Sequence, residues 1–208
     1  ALLEDWLRLV LERDLQQFPT IKADSELAKK ILEHLATASV PSASEIAKKL
    51  RVSPKRISQH LLLLKQLFVV NEILPHSLGS GKPRYMLCDA GLAHHLQASR
   101  ERRLVTWAWI EMLSQHAYRG SAGVSFSYYR SARGGVIDLV VETRQKEISA
   151  FKILDFESIK QQDLEILRAF KTKCEKNGYR KISVYALAPV DRAAKDGDVV
   201  ILPWESIA

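Results

Sequence analysis

Residues 1–68 carry apolar side chains at three- and four-residue steps, with polar residues between them. As α-helices, segments with this spacing have one apolar face that packs against a core. Ser42 and Glu45 have the spacing of a capping box, and Ser53-Pro54 places a capping hydroxyl before a proline in the first helical turn. The predicted helices span 1–18, 27–38, 43–50 and 54–67, the last with Ile57, Leu61, Leu64 and Phe68 facing inward.

The pattern changes after residue 68, where apolar residues gather in short runs that favour strands. Val69–Leu74 and Arg84–Cys88 are predicted to pair as a hairpin, with the Gly-rich stretch Leu78–Pro83 as its turn. Asp89 is expected to cap a further helix, which becomes strongly charged toward Arg102. We place a domain boundary near residue 100.

The remaining residues alternate between helical and strand-like segments. Helices are predicted over 104–116 and 158–176, and strands over 124–129, 136–142, 147–153, 182–187 and 199–202. This order is typical of an α/β domain with a mixed sheet. The predicted class is α+β, with a linker helix over 1–22, a winged helix-turn-helix domain over 23–99 and an α/β domain over 100–208.

The composition excludes a disordered chain, because 47% of the 208 residues are hydrophobic. The net charge is +7, and residues 44–66 alone carry six Lys or Arg against one Glu, which gives +5. Cys88 and Cys174 lie far apart, so the sequence predicts reduced thiols in a cytoplasmic protein rather than a disulfide or zinc framework. No apolar run reaches the roughly 18 residues of a membrane span, and we expect no membrane partner.

Three helices followed by a hairpin are the layout of a winged helix-turn-helix, whose last helix enters the major groove of DNA while the hairpin touches the backbone. The basic charge and the hairpin belong to the same module, and this combination favours double-stranded DNA as the partner. The predicted contact residues on the third helix and the hairpin are Lys55, Arg56, Gln59, His60, Lys82 and Arg84. The alternative is a protein-interaction module whose basic face is only solvated.

The second domain carries Glu111 on a helix, Asp138 within a strand and Lys152 at the end of the next strand. This order resembles the restriction-endonuclease-like superfamily, in which the carboxylates hold Mg²⁺ and the lysine orients the attacking water. The position two before Lys152 is Ala150, however, where that superfamily places an acidic residue or Gln. The predicted catalytic set of Glu111, Asp138 and Lys152, with Glu111 and Asp138 as metal ligands, is therefore expected to be vestigial.

Two further readings of these residues remain open. Glu142, Asp155 or Glu157 could supply a relocated carboxylate. Asp138 could instead be a structural residue that accepts hydrogen bonds from a basic neighbour, for which Arg130 and Lys152 are the candidates.

The chain resembles the C-terminal half of a family of bacterial and archaeal AAA+ ATPases, in which a winged helix and a degenerate restriction-endonuclease-like domain follow the ATPase domain. The stretches that carry this resemblance are Trp6–Asp14, Ser44–Leu50 with Val52–Ser53, the helix to Leu67 with Phe68–Pro75, Lys82–Leu92, Tyr129–Arg130, Val136–Val140 and Ile201–Trp204. The resemblance implies that ATP binds a domain preceding this chain and that this domain is a partner. Because Ala1 lies inside a predicted helix, we expect a longer protein.

Three functions follow from these observations, in order of preference. The first is a non-catalytic DNA-binding and interaction region of an AAA+ ATPase, without a cofactor of its own. The second is a metal-dependent DNA nuclease that uses Mg²⁺ at Glu111, Asp138 and Lys152. The third is a protein-interaction scaffold that does not bind nucleic acid.

Overall fold

The computed structural model describes residues 2–18, 22–39, 41–120, 123–155 and 159–207. The chain divides into two compact units. The first unit comprises the residues up to Ile73 together with Pro83–Thr106, and the second comprises Leu74–Lys82 and the residues from Trp107 onward. Within the described ranges, the fold is α+β, with seven α-helices, a two-stranded hairpin and a six-stranded mixed sheet.

The first unit contains a set of helices and the hairpin. Its elements are α1 (Leu2–Leu9), α2 (Ser25–Thr37), α3 (Ala43–Leu50), α4 (Pro54–Gln66), β1 (Val70–Ile73), β2 (Arg84–Leu87), α5 (Ala90–His95) and the start of α6 (Arg100–Tyr118). The predicted helix over 1–18 is not uniform, because a π-helical turn at Val10–Asp14 and a 3₁₀ turn at Leu15–Gln17 follow α1.

Local capping explains where these helices begin. The Ser42 amide donates to the Glu45 carboxylate at 2.6 Å, and the Ser42 hydroxyl accepts from the Glu45 amide, which confirms the predicted capping box. Ser53 caps α4 ahead of Pro54, as predicted. The Asp89 carboxylate likewise accepts from the Leu92 amide at 2.8 Å and starts α5.

The core of the first unit is formed by one apolar cluster. It takes in the fully buried side chains of Leu15, Ile31, Leu32, Ile46, Ile57, Leu61 and Leu64. The segment predicted as a linker helix thus contributes directly to this core, because Leu7, Val10 and Leu11 belong to the same cluster.

The end of α4 differs from the prediction. Phe68 was expected to face inward, but its side chain is 84% exposed, so that prediction is wrong. The helix ends at Gln66, and Phe68 adopts a left-handed conformation with φ of 57°. The Phe68 amide donates to the Lys65 carbonyl and the Val69 amide to the Leu64 carbonyl, the two bonds of a Schellman motif. This reversal turns the Phe68 ring away from the core.

The second unit is built around the six-stranded sheet. Its elements are β3 (Val124–Arg130), β4 (Val136–Thr143), β5 (Glu147–Ile153), α7 (Gln161–Lys176), β6 (Lys181–Ala188), β7 (Ala194–Asp196), β8 (Val199–Pro203) and the rest of α6. The strand order is β3-β4-β5-β6-β8-β7, with parallel pairing from β5 through β6 to β8 and antiparallel pairing elsewhere. The predicted strands are confirmed, and β7 is an additional edge strand.

Helix α7 covers one face of this sheet. Leu164, Leu167 and Phe170 of α7 share a buried cluster with strand residues that include Val140 and Ala150. The helix ends before Gly178, whose φ of 75° suits a residue without a side chain.

The stretch between β1 and β2 also belongs to the second unit. The His76 amide donates to the Tyr128 carbonyl at 2.7 Å, and the Tyr128 amide donates to the Leu74 carbonyl at 3.1 Å. The Ser80 amide adds a bond to the Arg130 carbonyl at 2.9 Å. The predicted turn at Leu78–Pro83 is therefore bonded to β3 through Ser80, and a Cβ on Gly81 would lie 2.2 Å from the Tyr128 hydroxyl.

Candidate nucleic-acid interface

The first turns of α4 border an open groove of about 760 Å³ in the first unit. Lys55 and Arg56 are exposed and Gln59 is partly exposed. The groove is lined by Lys22, Ala23, Asp24, Ser53, Lys55, Arg56 and Gln59. Three of the predicted contact residues on α4 therefore share one surface, and Lys22 extends its positive charge across the groove.

Asp24 organises the floor of this groove. Its Oδ1 accepts from the Leu27 amide at 3.0 Å and caps α2, and its Oδ2 pairs with the Arg56 guanidinium. The Leu27 hydrogen bond lowers the pKa of Asp24, and the charge of Arg56 lowers it further. Because both oxygens are engaged, Asp24 positions Arg56 and offsets its charge.

The sequence pattern places His60 on the outward side of α4 together with Lys55, Arg56 and Gln59, and for His60 that prediction is wrong. The ring is 1% exposed. Its Nε2 lies 3.0 Å from the Asp24 amide nitrogen and accepts that hydrogen bond, while Nδ1 lies 2.8 Å from the Arg56 carbonyl oxygen and donates to it. These bonds require the neutral ring with its proton on Nδ1. His60 thus joins the start of α2 to α4 and supports the groove from beneath.

Lys65 contributes less positive charge to α4 than the sequence indicates. Its ammonium pairs with Glu72 of β1, which also accepts a hydrogen bond from the Tyr85 hydroxyl at 2.9 Å. Burial and the hydrogen bond to Glu72 raise the pKa of Tyr85 to about 12. Positive charge on this part of the unit is therefore concentrated at the start of α4 and at the exposed Lys48, Lys49 and Arg51.

The two predicted contact residues of the hairpin fall in different units. Arg84 opens β2 opposite Ile73 in the first unit and is partly buried. Lys82 is exposed in the second unit, where its carbonyl accepts from the Tyr128 hydroxyl at 2.8 Å.

In the second unit, the structure brings Asp138 and Lys152 together. Oδ2 of Asp138 accepts from Lys152 Nζ at 3.1 Å and from the Ile153 amide at 2.9 Å. Only 12% of the Asp138 side chain and 17% of the Lys152 side chain are exposed. This geometry confirms that a basic neighbour satisfies Asp138, and it identifies that neighbour as Lys152.

Asp138 also lies in an irregular part of β4. Ser127 pairs with Val140 and Tyr129 with Ile137, so Asp138 and Leu139 together oppose one residue of β3. Such bulges redirect side chains and are common beside active sites. The Trp109 indole donates to the Asp138 carbonyl at 2.9 Å, so this backbone oxygen at the bulge has a hydrogen-bond donor.

The other proposed carboxylates have different partners. Glu111 accepts from the Gln115 amide group at 3.0 Å, and Glu142 accepts from the Tyr179 hydroxyl at 3.0 Å. Glu157 lies outside the described residues. In the ranges that the structure describes, no group of three or more His, Cys, Asp or Glu side chains is placed to hold a metal ion.

Ala150, at the position of the superfamily's acid, is fully buried in the α7-facing cluster. A carboxylate there would be enclosed by apolar side chains.

Two residues at or beside the exposed face of α4 were not predicted from the sequence. Lys22 precedes the capping Asp24, and a lysine just before an N-cap carries no signal that it will face another helix. Leu62 continues the apolar run of α4 in the sequence, yet its side chain is 46% exposed. A strict count of helical positions from Ile57 could have placed Leu62 outside the core.

The fold and the site thus define an α+β protein with a basic groove beside α4. Residues 1–103 match a family described as Domain of unknown function (DUF8612). The chain has distant structural similarity to the crystal structure of protein VC1899 from Vibrio cholerae, with 11% identity and a TM-score of 0.36. That comparison covers 99% of this chain and 53% of the other, so this chain spans about half its length. No curated protein matches the chain.

None of the helices in the described ranges has the length and apolar character that crossing a membrane requires.

Proposed function

We propose that the first unit is a winged helix that binds double-stranded DNA, with α4 in the major groove. The observation that carries this proposal is the groove beside α4, which presents Lys22, Lys55 and Gln59 on one surface. Lysines that contact phosphates fix the register of a protein on the duplex, and polar side chains on the inserted helix read base edges. The second unit then serves as a scaffold, consistent with the engagement of Asp138 by Lys152 and Ile153.

The test is duplex binding measured by fluorescence anisotropy at several salt concentrations. Each phosphate neutralised contributes a slope of about −0.9 in a plot of log affinity against log salt. Lys22→Glu combined with Lys55→Glu should weaken binding at low salt and reduce this slope by about two. Arg56 is left intact in this variant, because Arg56→Glu would set two carboxylates against each other at Asp24.

Lys195→Glu with Lys176→Glu is the matched control, since both lysines are exposed in the second unit and the change in charge is the same. An equal loss in both variants would indicate non-specific attraction of a basic protein. Salt-independent or absent duplex binding would instead favour the protein-interaction scaffold.

A metal-dependent nuclease is the second candidate, favoured by the Asp138–Lys152 pair at the bulge in β4. Its test is cleavage of supercoiled plasmid with Mg²⁺ or Mn²⁺. Cleavage that is abolished by Asp138→Asn and by Lys152→Met would establish the activity and overturn the scaffold role. The AAA+ ATPase domain remains the proposed partner of the chain, on the resemblance alone.

A further inference from the structure

We propose that α4 reads A·T base pairs, with Gln59 bonding adenine and Leu62 packing on the thymine methyl group; this rests on the proposed DNA binding. The class of ligand is duplex DNA with A·T pairs facing the protein in the major groove.

The outward side of α4 forms a single row. Its members recur at three- and four-residue steps and are Lys55, Ser58, Gln59, Leu62 and Gln66. Leu62 is 46% exposed, whereas the leucines on either side of it, Leu61 and Leu63, are at most 1% exposed. The core therefore does not account for Leu62. One exposed leucine is common on a protein surface, but this one lies in the row that begins at Lys55 and Gln59.

The chemistry of this row selects the base pair. Gln bonds adenine N6 and N7 with two hydrogen bonds, and an apolar side chain packs on the C5-methyl group of thymine. Guanine is read by Arg or Lys, but Arg56 is held on the Asp24 carboxylate and Lys55 is assigned to a phosphate in the proposed function. Adenine and thymine are thus the bases that Gln59 and Leu62 fit.

The spacing along the helix is also suitable. Gln59 and Leu62 are three residues apart, which is a rise of about 4.5 Å in an α-helix. Successive base pairs are separated by about 3.4 Å, so the two side chains reach the same or adjacent steps.

The experiment compares four alternating duplexes of equal length by anisotropy titration: d(A-T), d(A-U), d(I-C) and d(G-C). Uracil lacks only the thymine methyl group, while inosine presents the major-groove pattern of guanine and the minor groove of an A·T pair. For the wild-type chain, we expect d(A-U) to bind about fourfold more weakly than d(A-T), which is the value of one buried methyl group. We expect d(I-C), which lacks both the adenine pattern and the thymine methyl group, to bind at least about 20-fold more weakly than d(A-T).

The variants assign each contact to its residue. Leu62→Ser should bring the ratio between d(A-T) and d(A-U) to one and lower the preference over d(I-C) by the same factor of about four, which leaves at least about fivefold. Gln59→Ala should lower the preference over d(I-C) to the factor of about four that the methyl group contributes. Gln66→Ala, at the last residue of α4, is the matched control for Gln59→Ala and should leave both ratios unchanged.

The outcomes separate this inference from the proposed function. Salt-dependent binding of equal strength to d(A-T), d(A-U) and d(I-C) would leave the DNA-binding function in place and overturn the A·T readout. Tight binding of d(I-C) with weak binding of a G·C duplex would assign recognition to the minor groove and also overturn it. Failure to bind any duplex would overturn the DNA-binding function itself.

Discussion

The imidazole of His76 and the carboxylate of Glu142 lie 66 positions apart in the chain and meet in the second unit, with Nε2 and Oε2 separated by 3.2 Å. The His76 ring is almost completely buried, and its Nδ1 accepts from the Leu78 amide at 3.2 Å. Tyr179 donates to the other oxygen of Glu142. The stretch between β1 and β2 is therefore held in the second unit by hydrogen bonds of a titratable side chain, His76.

His76 should make the stability of the second unit depend on pH. Burial lowers the pKa of His76, Lys173 lowers it further, and Glu142 opposes both. Below the ordinary value of about 6.5, the unfolded chain binds the proton more readily than the folded one. The contribution of His76 is therefore complete above about pH 6.5 and is lost as the pH falls toward the lowered pKa.

Urea unfolding followed by tryptophan fluorescence at about pH 7.5 and 5.5, on either side of the ordinary histidine pKa, measures this effect. His76→Asn should flatten the difference between the two pH values. Tyr179→Phe is the control: burial raises the pKa of Tyr179 to about 12, so it stays protonated throughout. Loss of the Tyr179 hydroxyl should lower the free energy of unfolding by about 1 kcal/mol at both pH values. A wild-type chain that is more stable at the lower pH would contradict the prediction.

Asp138 and Lys152 should behave as a coupled pair. Asp138→Ala removes the acceptor of both Lys152 and the Ile153 amide, so we expect a loss of about 3 kcal/mol in the free energy of unfolding. Asp138→Asn keeps an oxygen for the Ile153 amide and should cost less. In a double-mutant cycle, Lys152→Met should cost less in the Asp138→Asn background than in the wild type. Additive losses would show that the two side chains do not stabilise each other.

Phe68→Gly should stabilise the first unit. A bulky residue in the left-handed region is strained by about 1 kcal/mol, and glycine relieves that strain within the Schellman motif. The exposed ring contributes little burial that could be lost. We therefore expect a higher midpoint of urea unfolding for Phe68→Gly. Phe68→Ala removes the ring but keeps the Cβ, so it should leave the midpoint close to that of the wild type.

The parts of the fold that the sequence predicts are those fixed by near neighbours. The capping box of Ser42 and Glu45 lies within one helical turn, and β5 is a short, mostly apolar run of residues. These signals do not depend on the rest of the chain, so the starts of α3, α4 and α5 and five strands of the sheet could be predicted from the sequence, whereas the capping Asp24 of α2 was not.

Apart from Phe68, whose position is set by the local Schellman motif, the errors concern residues whose environment is set by distant partners. His60 lies at the edge of an apolar face, and its inward ring accepts from the Asp24 amide, which is 36 positions earlier in the chain. Likewise, Leu78–Pro83 has the composition of an exposed hairpin turn, but it is bonded to β3. The Ser80 amide donates to the Arg130 carbonyl, and the Lys82 carbonyl accepts from the Tyr128 hydroxyl. For Asp138, the sequence offered two basic partners, and the register of β4 and β5 selected Lys152.

His60 provides a test that separates support of the groove from contact with DNA. His60→Leu keeps the apolar packing of the ring but leaves the Asp24 amide without its acceptor, which should cost about 1–3 kcal/mol in the free energy of unfolding. Below its unfolding transition, this variant should still bind duplex DNA with an unchanged salt slope, because no charge is lost from the groove. The Lys22→Glu, Lys55→Glu variant should show the reverse, with near wild-type stability and a reduced slope. A His60→Leu protein of wild-type stability and weakened DNA affinity would return His60 to the contact surface and contradict its buried position.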